Sequence, residues 1–262
     1  MNRLFPSLWA ETLKMRRSKV PLLTAVGFSF APLVGGLFMI ILKDPEAARS
    51  MGLISTKAQL TAGTADWSTL FGLLAQATAV GGSIVFSIFT IWVFGREFAD
   101  RTVKELLALP TSRETIVAAK FIVVAAWTFF LTLLAFGLGL LVGKLVVIPG
   151  WSQELLQTAS VDIIGAGLLS ILLLPFVALV ASLGRGYLAS FGWVILTVFL
   201  AQIAAVTGWG DWFPWSVPAL FSGAAGPRAG LMGTHSYVIL ILASMIGLVA
   251  TFYWWRSADQ TK

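Results

Sequence analysis

The segment Gly95-Arg-Glu-Phe-Ala-Asp-Arg-Thr-Val-Lys-Glu-Leu-Leu-Ala-Leu-Pro-Thr-Ser-Arg-Glu-Thr-Ile-Val-Ala-Ala-Lys120 is the one long, densely charged run between apolar stretches. Five basic residues (Arg96, Arg101, Lys104, Arg113, Lys120) and four acidic ones (Glu97, Asp100, Glu105, Glu114) are interleaved through it. On either side the chain carries no charge for long enough to cross a bilayer. A charged segment held at a membrane surface between two spans is available to a soluble partner. That arrangement points to a protein driven by another chain.

The composition sets the class. Hydrophobic residues make up 58% of the chain and charged ones 11%, and the mean hydropathy is +0.88, outside the range of soluble domains. A hydrocarbon core of roughly 30 Å needs about 20 apolar residues in a helix. Six stretches meet that length without Asp, Glu, Lys or Arg: Leu22–Leu42, Leu70–Phe94, Phe121–Gly143, Ile163–Leu183, Tyr187–Thr207 and Tyr237–Trp255. In lipid the backbone must satisfy its own polar groups, so these are helices. Barrel strands would be half as long and would alternate in polarity. The expected fold is all-α, a polytopic membrane protein with six transmembrane helices in a single domain, residues 1–262.

Basic residues orient such a protein. With both termini on one side, that side holds 13 of the 18 Lys and Arg residues. The opposite side holds Lys43, Arg49, Lys57, Lys144 and Arg228, and the acids divide evenly. Both termini and the charged segment are therefore expected in the cytoplasm. The net charge of +6 is explained by topology and by anionic headgroups, with no nucleic-acid partner.

Residues 1–20 have Leu4, Phe5, Leu8, Trp9 and Leu13 at helical spacing, with Arg3, Ser7, Lys14, Arg17 and Ser18 around the other side. This reads as an amphipathic helix lying in the cytoplasmic headgroup layer, and not as a signal peptide. A basic flank that only orients the first span accounts for the same residues. Residues 208–236 form an aromatic-rich external connection with Trp209, Trp212 and Trp215. One or two short interfacial or re-entrant helices dipping into the outer leaflet, or a plain aromatic belt, would use those side chains.

Within the charged segment, Phe98, Ala99, Thr102, Val103, Leu106, Leu107 and Leu109 fall on one helical face. Thr102-Val-Lys-Glu105 has the pattern of a capping box, and Pro110 ends the helix that it would start. Thr111-Ser-Arg-Glu114 is a second capping box leading into the third span. A short two-faced helix at the surface can seat in a groove of another protein and transmit a push.

Glu97, Thr102, Leu107, Pro110, Arg113 and Lys120, set between the second and third of six spans, resemble the permease subunits of ABC transporters. The likeness is to the type-2 exporter branch, among bacitracin-resistance and lantibiotic-immunity permeases. The resemblance implies that this segment carries the coupling helix, with Glu97, Thr102, Val103, Leu106, Leu107, Pro110, Arg113 and Lys120 in the part that meets a separate nucleotide-binding ATPase subunit. It also implies a second permease subunit, as a homodimer or heterodimer, in the bacterial plasma membrane.

The residues agree that the motor lies in another chain. There is no Gly-x₄-Gly-Lys-[Ser/Thr] phosphate loop, and Gly137 to Lys144 has the wrong spacing. Its Gly139-x₃-Gly143 suits close helix approach. There is no Cys and only one histidine, His235. No catalytic, metal or cofactor site is therefore expected, and the chain reads as a transport subunit rather than an enzyme. The alternative is a secondary transporter driven by an ion gradient, which usually needs an ionisable residue inside a span. The spans carry neutral polar residues such as Gln76, Thr128 and Gln202. That lining suits an amphipathic or lipid-like cargo, an antibiotic peptide for example. Pro32 and Pro175 lie mid-span and predict bends.

Because the chain has no natural cysteine, topology is directly testable. Single cysteines at Ser50, Ser152 and Ser222 should react with an impermeant thiol reagent outside intact cells. Those at Asp100 and Gln260 should react only after the membrane is opened; labelling of Asp100 in intact cells would overturn the six-span arrangement.

Overall fold

Long apolar stretches become long helices here, and several run past the hydropathic boundary because polar caps lie beyond it. The computed structural model describes residues 4–44, 46, 48, 52, 63–108, 110–226 and 232–257. Its principal helices are α1 (Leu4–Arg17), α2 (Val20–Lys43), α3 (Trp67–Ala99), α4 (Val103–Leu107), α5 (Arg113–Val146), α6 (Gln153–Ile171), α7 (Leu174–Leu183), α8 (Leu188–Val206), α9 (Val217–Phe221) and α10 (Thr234–Ser257). Among the described residues six helical stretches are long and apolar enough to span a membrane, with α6 and α7 together making one.

The starts of three helices follow from side-chain caps. Asp66 accepts from the Thr69 amide at 2.8 Å to begin α3. Ser112 accepts from the Thr115 amide at 3.2 Å to begin α5, and Ser152 from the Leu155 amide at 3.1 Å to begin α6. The second capping box is thus set one residue later than the sequence pattern suggests, on Ser112 instead of Thr111. The first does not form, because the Thr102 side chain makes no cap bond.

α3 lies at the centre, against α2, α5, α6 and α7. Phe28, Phe86, Phe89, Phe94, Val117, Val124, Leu131, Ala178 and Trp255 form one core toward the face that carries α1 and α4. Met39, Trp67, Leu70, Phe71, Leu74 and Ile163 form a second toward the opposite face. Gly139 and Gly143 allow the close approach of α3: added methyls would come 2.2 Å from a Leu74 methyl and 2.4 Å from the Trp67 ring.

The two prolines behave differently. Pro32 lies inside an uninterrupted α2. Pro175 follows a break at Leu172–Leu173 and occupies the first turn of α7, where its missing amide costs no helical bond. α10 packs on this break through Gly247 and Thr251, and the Thr251 hydroxyl lies 3.4 Å from the Pro175 carbonyl oxygen.

On the face away from α1, residues 210–212 and 214–216 form short 3₁₀ turns that lead into α9. Ser216, Val217 and Leu220 are buried there, so this connection folds into short helices packed on the bundle. His235 Nε2 lies 3.1 Å from Asp211 Oδ2 and its ring stacks on Trp212. Ser222 is buried, so slow labelling there would reflect packing rather than sidedness. Leu109, Ser50 and Gln260 lie outside the described residues.

A methyl on Gly247 would sit 2.6 Å from the Phe176 backbone nitrogen, whereas one on Gly137 meets nothing within 4 Å. Gly247→Ala should therefore lower thermal stability by about 1–3 kcal/mol through overpacking. Gly137→Ala should be neutral or stabilising. Thermal unfolding in detergent tests the pair, and equal effects would contradict this packing.

Candidate functional site

The charged segment is anchored from below by four ionised side chains that come from three helices. α3 brings Glu97, α5 brings Lys120, and α1 brings Glu11 and Lys14. Lys120 Nζ lies 2.8 Å from Glu97 Oε1 and 3.4 Å from Glu11 Oε2, and donates to the Val93 carbonyl at 2.8 Å. Lys14 Nζ lies 2.6 Å from Glu11 Oε1 and 3.0 Å from Glu97 Oε1. Lys120 has no exposed surface, Glu97 is 2% exposed and Glu11 5%.

Two carboxylates and two ammoniums make this cluster neutral, which is what burial demands. The first and last residues of the Glu97…Lys120 pattern are therefore partners of each other. Both helices run past the uncharged stretches, so these charges belong to the ends of α3 and α5 rather than to a free loop. Glu97 Oε1 receives two lysines, while Oε2 has no donor among the described residues.

Burial opposes the charge on Lys14, but the carboxylates of Glu11 and Glu97 outweigh it and hold its pKa above the ordinary lysine value. A raised lysine pKa gives stabilisation that is complete at neutral pH. It is lost only as pH climbs through that raised value, in strong alkali.

Sequence reading missed Glu11. The signal was available: it is the one acid in α1 and shares a face with Leu8 and Met15, which pack on the core. The apolar residues of α1 do not form one face. Phe5 and Trp9 are exposed on the far side, so the helix turns its acid inward and two aromatics outward.

Above this anchor the chain reverses without a glycine. Arg101 takes a left-handed conformation, φ 59°. The Thr102 amide reaches the Glu97 carbonyl at 2.9 Å and the Arg101 amide reaches Phe98 at 3.2 Å, closing α3 in the manner of a Schellman motif. α4 starts at once. Val103 is buried, and Leu106 and Leu107 are half-buried against the core. The apolar face of α4 is thus turned toward its own chain, and Arg101, Lys104, Glu105, Ala108 and Pro110 are exposed.

Thr102 is half-buried in the turn between α3 and α4. Arg113 Nη1 donates to the carbonyls of Trp255 and Arg256 at 3.2 and 3.3 Å. It thereby satisfies the open end of α10. Phe98 packs edge-on to Trp254 and Trp255, and Trp255 Nε1 donates to Ser182 Oγ at 2.9 Å. Of the eight residues read from sequence, Glu97 and Lys120 are internal ties and Arg113 clamps a helix end. Val103, Leu106 and Leu107 seat α4, and Pro110 is on the surface.

These features define a helical, multi-pass membrane protein whose charged surface segment is tied to the bundle. The profile of the ABC-2 family transporter proteins matches residues 7–203, and the chain belongs to that family. It is 28% identical over 183 residues to the bacitracin transport permease protein of Bacillus licheniformis, covering 68% of this chain and 85% of that one. No solved structure matches the chain.

Removing one partner of a buried ion pair costs about 3–5 kcal/mol, whereas replacing both can be neutral. Lys120→Met should therefore cut thermal stability and yield sharply. Lys120→Met combined with Glu97→Met should recover most of the loss, because Glu11 and Lys14 still balance. Simple additivity of the two losses in detergent melts would contradict the cluster.

Proposed function

We propose that the chain is the membrane subunit of an ATP-driven exporter and that its ATPase is a separate chain docking on the face formed by α4. In this reading both termini are cytoplasmic, as the 13-to-5 division of basic residues favours. The observation that carries it is the seating of α4. A five-residue helix follows the close of α3 directly and is seated inward through Val103, Leu106 and Leu107, next to the ties of Glu97 to Lys120 and of Arg113 to the end of α10. A force on its exposed side moves membrane helices instead of bending a loop. Family membership supports the ATPase partner, and a second permease subunit, of the same or another chain, would complete the transporter.

The contact surface in this proposal is Arg101, Lys104, Glu105, Ala108 and Pro110. Leu106 and Leu107 hold α4 in place and serve contact indirectly. The cargo is an amphipathic molecule, such as an antibiotic peptide or a lipid-linked compound. The relative named for bacitracin transport supports that class, as do uncharged polar positions such as Thr78, Thr128 and Ser170 buried among the helices.

Export from proteoliposomes, with ATP on the ATPase side and ionophores collapsing every gradient, tests this. Export should persist under ionophore and stop when the ATPase is omitted. Export by the chain alone on a proton or sodium gradient would make it a secondary carrier. At the contact itself, Lys104→Glu with Glu105→Lys should lower ATP-coupled export at least about tenfold while insertion and melting stay unchanged. Full export by this variant would remove α4 from the interface.

A further inference from the structure

On the face that carries α1 and α4, a cleft of about 410 Å³ opens between the C-terminal end of α1 and the last two turns of α3. Lys14, Arg17, Ser18, Trp92, Arg96 and Asp100 line it. Lys14 is already balanced within the four-residue cluster, so the excess charge comes from Arg17 and Arg96 against the single carboxylate of Asp100. Arg17 is exposed and has no ion-pair partner among the described residues. Arg96 Nε stands 3.9 Å from Glu97, beyond hydrogen-bond reach, and its guanidinium lies 5.0 Å over the Trp92 ring.

Guanidinium groups match phosphate oxygens in a fork geometry, and two of them line one cleft. The polarity of the walls is graded along α3. Arg96 sits near the end of α3, and Trp92 lies one turn deeper, where the helix becomes apolar. Tryptophan favours that boundary because its ring is apolar while its edge stays wet. Past Ser18 the chain enters α2, whose Leu22 and Leu23 are each 65% exposed. A ligand with an anionic head and acyl chains would meet cations first, then an aromatic ring, then exposed leucines.

We infer that this cleft binds the phosphate headgroup of an anionic glycerophospholipid. Arg17 and Arg96 hold the phosphate, Ser18 offers a hydroxyl, and the acyl chains run past Trp92. A free phosphate would use the same cations but would gain nothing from the aromatic and leucine surface below them. A lipid seated there bridges α1 to α3 beside the Glu11–Lys14–Glu97–Lys120 cluster.

The full-length chain purified in detergent is titrated with phosphatidylglycerol, phosphatidylcholine or inorganic phosphate. Bound lipid is counted by native mass spectrometry, with thermal melting followed in parallel. Phosphatidylglycerol should bind more tightly than phosphatidylcholine and raise the melting temperature. Arg17→Gln and Arg96→Gln should each weaken it about tenfold, while Arg16→Gln, an equal charge loss on the exposed surface outside the cleft, should leave it unchanged. Should Arg96→Gln fail to fold beside Glu97, Arg17→Gln decides alone, because Arg17 is exposed and has no partner to lose. Equal binding of phosphatidylcholine, wild-type affinity in Arg17→Gln, or an equal loss in Arg16→Gln would overturn the site. Displacement of the lipid by inorganic phosphate at matched concentration would make a free anion the occupant and overturn the lipid assignment.

Discussion

The contact between Lys120 and Glu97 is the interaction on which the rest depends. A fully buried ammonium cannot remain charged without carboxylates and carbonyls around it, and Glu97, Glu11 and the Val93 carbonyl supply them. Satisfying Lys120 obliges α3, α5 and α1 to meet at one point. That point lies directly below the reversal at Arg101. A charged segment that could have been a loose loop is thereby made continuous with the membrane helices, and α1 becomes part of the bundle's structure.

The same constraint divides the segment into an inner and an outer set of residues. Leu106, Leu107, Phe98, Trp254 and Trp255 pack into the core and Val103 is buried, while Lys104 and Glu105 are exposed. At the other end of α5, Gly139 and Gly143 let α3 approach closely. Along α10, Gly247 lets the break before Pro175 be held against its backbone. These close approaches fix the spacing of α3 against α5 and of α10 against α7.

Much of the fold was legible because bilayer crossing is a one-dimensional demand: an uncharged apolar run of sufficient length can be counted along the chain. The side-chain network was not legible by the same means. Glu97 and Lys120 could be seen as parts of a charged pattern, but their pairing depends on a reversal at Arg101 that lacks the glycine normally marking such a turn. Glu11 went unread, although it is the one acid of α1 and shares the face of Leu8 and Met15. The cap of α5 fell on Ser112 rather than Thr111 because adjacent hydroxyls can both serve, and the next turn decides between them. Val103, Leu106 and Leu107 turn inward, yet on sequence grounds an apolar face fits a partner or its own core equally well.

The central claim is that the exposed face of α4 is the ATPase contact and that the buried cluster holds it in position. Site-specific photo-crosslinking from residue 104, with residue 144 on the opposite face as control, measures this in membranes containing the purified ATPase subunit. The account predicts capture of the ATPase from 104, none from 144, and loss of capture when Lys120→Met is combined with the probe at 104. Capture from 144, or capture from 104 that is indifferent to Lys120, would contradict it.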